Sequence, residues 1–216
     1  MTAARTRKLL VLVLAVNSGA TDAIGFLALG GAFTSVMTGN LVLFGVSLAH
    51  GAGALLWHTL AAIAAYVVGC GFGSAIAGTP AAGDPVWPPA VQRALLVQTG
   101  VVAVYAVGWW ASGSDPSSGT QLVLLALNAA ALGIQSSAVL RFGVPGLSTT
   151  YLTGTLTTLV SRIAARRFGR DVALSAAVLA ALVTGAAAGA LLVRHARPLV
   201  PVIELGCLTL VVLSGR

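Results

Sequence analysis

Acidic residues are almost missing from this chain: Asp and Glu number five in 216 residues, and charged residues of both signs make up 8%. A soluble domain of this length carries roughly 25% charge, so a water-facing globule is excluded. Cysteine is as scarce. Cys70 and Cys207 lie far apart in apolar segments, which rules out a disulfide framework or metal-ligand spacing and leaves two small hydrophobes. No HExxH, GxSxG or phosphate-binding loop occurs, and there are no paired carboxylates and no His/Cys cluster. Hydrolytic, phosphoryl-transfer and metal chemistry therefore find no residues to run on. The chain is not expected to be an enzyme, nor to hold a cofactor or metal. Lysine is nearly absent too, at one against eleven arginines, a skew that reads as codon usage in a GC-rich bacterial genome.

What is present is apolar sequence: 57% of residues are hydrophobic and the mean hydropathy is +0.96. Runs long enough to span a bilayer recur from end to end. We read residues 1–216 as a single membrane domain whose first partner is lipid. The net charge of +7 sits between apolar segments, where it sets topology and does not recruit nucleic acid. The N-terminal "TAARTRKLLVLVLAV" has the layout of a signal peptide. It shows no small-x-small cleavage site, and apolar sequence continues past residue 20, so an uncleaved first span is expected.

Eight apolar segments can be drawn, at 9–29, 32–50, 54–78, 90–111, 119–140, 146–163, 171–193 and 198–214. Gly30-Gly31, Gly51-Ala52-Gly53 and Val144-Pro145-Gly146 supply turns between them. The four tryptophans fall near segment ends, where an aromatic belt places them. The expected fold is an all-α integral membrane bundle of these eight segments. Eight crossings with the N-terminus inside put eight cations inside and four outside. If the second and sixth segments instead dip in and return as re-entrant hairpins, Arg93 and Arg141 move inside, giving ten against two. The charge rule favours this six-span alternative. The length of 32–50 favours a full crossing, and the reading leans to eight.

The halves resemble each other. "GATDAIGFLALGGAFTSVMTGNL" aligns with "GIQSSAVLRFGVPGLSTTYLTGTL" after one insertion, and Gly69 and Gly73 align with Gly185 and Gly189. Two repeats follow, about 9–111 and 119–214. They are parallel if each has four spans and inverted if each has three.

A carboxylate interrupts this lipid-suited sequence. Asp22 stands about nine residues before Gly30-Gly31 and Asn40 about nine after, so a hairpin sets both roughly 13 Å from the turn. Thr21, Thr38 and Gly39 share that layer. In the second half Gln135 and Ser136 precede Pro145 by the same interval, and Thr153, Gly154 and Thr155 follow it. An ionisable group at such depth is costly unless paired or wetted, which makes Asp22 the candidate proton-coupling group. Thr-Gly-Asn within an apolar helix invites local unwinding, and Gly-interrupted segments matched in two halves point to a transporter site. These ten residues are the candidate solute- or ion-binding set. The rival expectation is a structural clasp between Asp22 and Asn40 in a non-transporting scaffold, whose Gly-rich helix faces would also suit a second copy. Among lesser polar residues, Asn17, Gln98 and Asn128 are amides able to bond across helices, and His58 is expected at the interface. Glu204, about two turns after Arg197, is expected to snorkel or pair locally, with coupling as the lesser alternative.

The paired motifs, Gly-x-x-Asp followed by Thr-Gly-Asn and Gly-Ile-Gln followed by Thr-Gly-Thr, resemble those of the YoaK-like family of bacterial membrane proteins over nearly the whole chain. Ser136 departs from the Asn more often expected there. The resemblance implies a multi-pass protein of about six helices in the bacterial inner membrane, and no substrate. A small-solute or ion transporter or channel, with its N-terminus in the cytoplasm, is the reading carried forward.

Overall fold

A computed structural model describes residues 3–81, 83–142, 152–167 and 169–215. All regular structure there is helical: α1 (Ala3–Ala28), α2 (Met37–His50), α3 (Gly53–Ala77), α4 (Pro89–Ala111), α5 (Ser118–Leu140), α6 (Leu152–Ala164), α7 (Arg170–His195) and α8 (Val200–Ser214), with one 3-10 turn at Arg197–Leu199. Local chemistry explains several ends. Pro89 opens α4, where its missing N–H costs nothing, and Gly51 closes α2 in the left-handed conformation at φ 67°. Gly30 and Gly31, at φ 93° and 82°, make the expected turn after α1. The Val144-Pro145-Gly146 turn lies outside the described residues.

Six of the helices are long and apolar enough to cross a membrane: α1, α3, α4, α5, α7, and α8 taken with its leading 3-10 turn. The other two are shorter. The 14 residues of α2 and 13 of α6 rise about 21 and 20 Å, against a hydrocarbon core of about 30 Å.

Helix directions decide what the short helices do. Gln92, near the start of α4, donates to the Val212 carbonyl near the end of α8 at 2.6 Å. Trp109 and Trp110, at the end of α4, donate to the Arg197 and Pro198 carbonyls that precede α8, at 2.9 and 2.8 Å. So α4 and α8 are antiparallel. Asn17 of α1 bonds Gln135 of α5 at 3.2 Å, while Arg7 stacks on Phe142, just past α5, at 5.6 Å; these two are antiparallel as well. Working back from α5 through α4 and α3, the chain enters α3 on the side where α1 ended. The segment 29–50 therefore dips in and returns. The expectation of eight crossings gives way to six, and Arg93 and Arg141 join the side of Arg7, the ten-against-two split.

Two seams hold the bundle: α1 packs chiefly on α7, and α3 chiefly on α5. Both rest on glycine. A Cβ on Gly185 would strike the Val16 carbonyl, and one on Gly19 the Leu182 carbonyl. In the second seam Gly69 meets Ala130, Gly73 meets Ile134, and Gly133 meets Tyr66. Outward positions such as Val67, Val68 and Phe72 are exposed and contact lipid. On the N-terminal side Arg141 closes a bidentate pair with Asp84, 2.9 Å at both oxygens. This guanidinium holds the Asp84 carboxyl below its usual range.

The topology is directly testable. In a variant lacking Cys70 and Cys207, single cysteines at Ser117 and Arg167 should react with impermeant thiol reagents from opposite faces of the membrane. Labelling of both from one face would restore the eight-crossing arrangement.

Candidate functional site

The arm from Leu29 to Val36 has no regular structure, so its backbone groups need partners from elsewhere. Asp22 supplies two of them and binds two hydroxyls of the arm as well. Its Oδ1 accepts from the Thr34 N–H at 2.8 Å, the Thr34 hydroxyl at 3.0 Å and the Ser35 N–H at 2.7 Å, and its Oδ2 accepts from the Ser35 hydroxyl at 2.6 Å. Asn40 holds the preceding residue: its Oδ1 accepts from the Phe33 N–H at 2.9 Å and its Nδ2 donates to the Phe33 carbonyl at 2.7 Å. Irregular backbone at membrane depth is tolerated where protein satisfies it. Here a carboxylate and a carboxamide do so from the two flanking helices.

This differs from the expected layer in two respects. Asp22 and Asn40 clasp neighbouring residues of one arm instead of each other. Thr38-Gly39-Asn40 is also not an unwound helix centre but the first turn of α2; the unwound backbone lies just before it. Thr34 and Ser35 escaped sequence reasoning. A two-hydroxyl pair between a glycine turn and a helix start, within reach of a buried carboxylate, was the signal available.

Beside this clasp lies a cavity of about 930 Å³. The first half lines it with Asp22, Ser35 and the start of α2 at Met37 and Thr38; the second half with Leu152, Thr153, Gly154, Thr157 and Thr158 of α6. Tyr66 and Leu182 complete the wall, and they stand at the midpoints of α3 and α7. The cavity is thus central along the two long helices. The N-termini of α2 and α6, where the helix dipole places a partial positive charge, both border it.

Thr21 is fully buried and donates back to the Asn17 carbonyl at 2.7 Å. Gln135 is a junction of three helices. Its Oε1 accepts from Asn17 at 3.2 Å and Gln98 at 2.9 Å, and its Nε2 donates to the Ser18 hydroxyl at 2.9 Å. The Ser136 hydroxyl donates to the Leu132 carbonyl and accepts from the Tyr66 hydroxyl at 2.9 Å, so it positions a cavity-wall residue without lining the cavity. Thr155 is buried in α6. His58, near the start of α3, is buried against Gly30. Glu204 does not snorkel: it is fully buried, with Asn128 as its hydrogen-bond partner.

Six long apolar helices, two short ones and a buried polar centre define a multi-pass helical membrane protein. The chain belongs to the DUF1275 family, described as proteins of unknown function, which matches residues 10–214. It is also similar to the UPF0700 transmembrane protein YoaK of Bacillus subtilis (strain 168), with 33% identity over 168 residues, 78% of this chain and 72% of that protein. No solved structure matches it.

Proposed function

We propose that this protein is a transporter or channel for a small solute or ion in the bacterial inner membrane, with its N-terminus in the cytoplasm. The observation that carries the reading is the central cavity, bordered by the starts of two short helices and lined by Asp22 and a set of hydroxyls. Helices that begin at mid-membrane, paired across two halves, are how many transporters bind solute.

We read the halves, about 9–111 and 119–214, as inverted repeats. The glycine seams support this. Gly69 and Gly73 pack on α5 as Gly185 and Gly189 pack on α1, and Gly19 and Gly133 hold matching places opposite them. These faces are used within the chain, which argues against oligomerisation through them. No catalytic chemistry is part of this reading. One observation favours the rival, a scaffold with a structural clasp: all four close contacts of the Asp22 carboxylate are donors from its own hairpin.

Proteoliposome flux separates the two. Against a panel of amino acids, sugars, nucleobases, organic anions and monovalent ions, at least one solute should move. Thr153→Trp, which fills the cavity from an exposed helix position, should abolish that flux with the melting temperature unchanged. A panel with no flux, or flux indifferent to Thr153→Trp, would leave the scaffold.

A further inference from the structure

A second buried acid lies away from the cavity. Glu204 is fully buried in the first turns of α8. One carboxyl oxygen accepts a bond of 3.3 Å from Asn128 Nδ2 of α5, while Oε2 has no partner among the described residues. The Asn128 Oδ1 also lacks a partner, and the Tyr105 hydroxyl of α4, fully buried, lies beside Asn128 and Glu204. No cation pairs with Glu204 among the described residues. Asp22 rests on four donors; Glu204 has one long neutral one. A full negative charge so placed would lack the pairing that a membrane interior demands.

One proton completes the arrangement. Carried on Oε2, it turns an unfilled acceptor into a donor and removes the charge, while the Tyr105 hydroxyl is free to donate to Asn128 Oδ1. We propose that Glu204, with Asn128 and Tyr105, forms a proton-binding site in the membrane interior, distinct from the Asp22 cavity. The proton comes from water and returns to it.

The surroundings supply a polar route. Gln98 and Gln135 lie two helical turns, about 10.5 Å, from Tyr105 and Asn128 on the same helices. Gln98 and Asn17 both point their NH₂ groups at Gln135 Oε1, leaving Gln98 Oε1 and Asn17 Oδ1 as further unfilled acceptors. The row of acceptors ends one residue from Ser136, which holds Tyr66 in the cavity wall. The titratable groups nearest Glu204 are Tyr105 of α4 and Cys207 of α8. From α1, Asp22 is engaged by Thr34 and Ser35. The cations of α7 and the 3-10 turn, Arg194, His195 and Arg197, sit at helix ends, with Arg197 paired to Asp115.

The proposal does not depend on the cavity moving a solute, and its test needs none. Infrared spectroscopy of the intact protein in lipid nanodiscs should show a protonated carboxylic-acid carbonyl band that titrates with pH. The band should be missing in Glu204→Gln, shifted in Tyr105→Phe and retained in Asp22→Asn. The melting temperature of the wild type should fall as pH rises, and Glu204→Gln, whose amide donates without a proton to lose, should flatten that fall. If the Gln variant does not fold, the Tyr105→Phe shift stands as the assignment. A band that survives Glu204→Gln, a spectrum with no such band at any pH where the protein is folded, or a band displaced by sodium but not by choline would overturn the proposal. The sodium outcome would make the site one for a metal cation.

Discussion

Asp22→Ala should be the most damaging single change in the hairpin, and Asp22→Asn should cost far less. Alanine removes the acceptor for two buried backbone N–H groups, those of Thr34 and Ser35. Each group left unsatisfied costs about 1–3 kcal/mol, and two hydroxyl bonds go with them. A loss of about 3 kcal/mol or more is expected, read as a large drop in melting temperature in mild detergent. Asparagine keeps an oxygen where Oδ1 accepts three bonds, and its NH₂ takes the place of Oδ2. The Ser35 hydroxyl, which now donates to Oδ2 at 2.6 Å, rotates to accept instead. The remaining cost is lost charge assistance, about 1 kcal/mol on the scale of membrane hydrogen bonds. Equal losses for the two variants would show that the arm does not depend on the carboxylate position. Flux in the folded Asp22→Asn protein then separates anchor from coupling group: unchanged flux makes Asp22 an anchor, and lost flux or lost pH dependence makes it a coupling group.

Alanine at the seam glycines is the second large effect. At Gly185 the added methyl would collide with the Val16 carbonyl, at Gly133 with that of Tyr66, and at Gly69 with that of Ala130. The obstructing atoms are backbone, so no rotamer change relieves them and the helices must separate along their length. Overpacking typically costs 1–3 kcal/mol, and a rigid contact on both sides puts these near or above about 3. The internal control is Gly71, between Gly69 and Gly73 in sequence but with nothing within 4 Å of a Cβ. Gly71→Ala should be neutral, or stabilise by roughly 0.5–1 kcal/mol through helix propensity. Fluorescence-detected size exclusion gives the readout: aggregation for Gly69, Gly133 and Gly185, and a wild-type peak for Gly71. Comparable profiles for Gly69→Ala and Gly71→Ala would refute the packing described.

Both effects trace to signals of different visibility in the sequence. The small-xxx-small spacing of Gly69/Gly73 and Gly185/Gly189 was legible because close helix crossings need that residue type at that interval. The apolar segments were legible for the same kind of reason: hydropathy is additive along a helix. The direction of the second segment was not. Residues 32–36 are apolar enough to extend α2, and what stops the helix at Met37 is the hydrogen bonding of Thr34 and Ser35 to Asp22, a tertiary competition that no window average registers. The same competition hid the partner of Asp22. Depth sets the carboxylate and Asn40 in one layer, but depth says nothing of azimuth, and each side chain bonds the arm instead of the other. The burial of Glu204 is hidden because two turns from a loop arginine is close in sequence, while α1 and α4, which cover α8, and Asn128, which bonds the carboxyl, lie more than 70 residues away.

The pairing of α1 with α7 and of α3 with α5 also governs the order in which the molecule can be assembled. The first helix of each half finds its seam on the third helix of the other, so neither half contains its own principal contacts. During synthesis α1 enters the bilayer with Gly19 open to lipid and stays so until α7 emerges, when most of the chain has already been made. α3, by contrast, meets α5 after one intervening helix. Assembly is therefore staged, with an α3–α4–α5 nucleus first and α1 admitted last beside α7. Until then, the groove along Val16, Gly19 and Ala20 is filled by lipid and not by the glycines of α7.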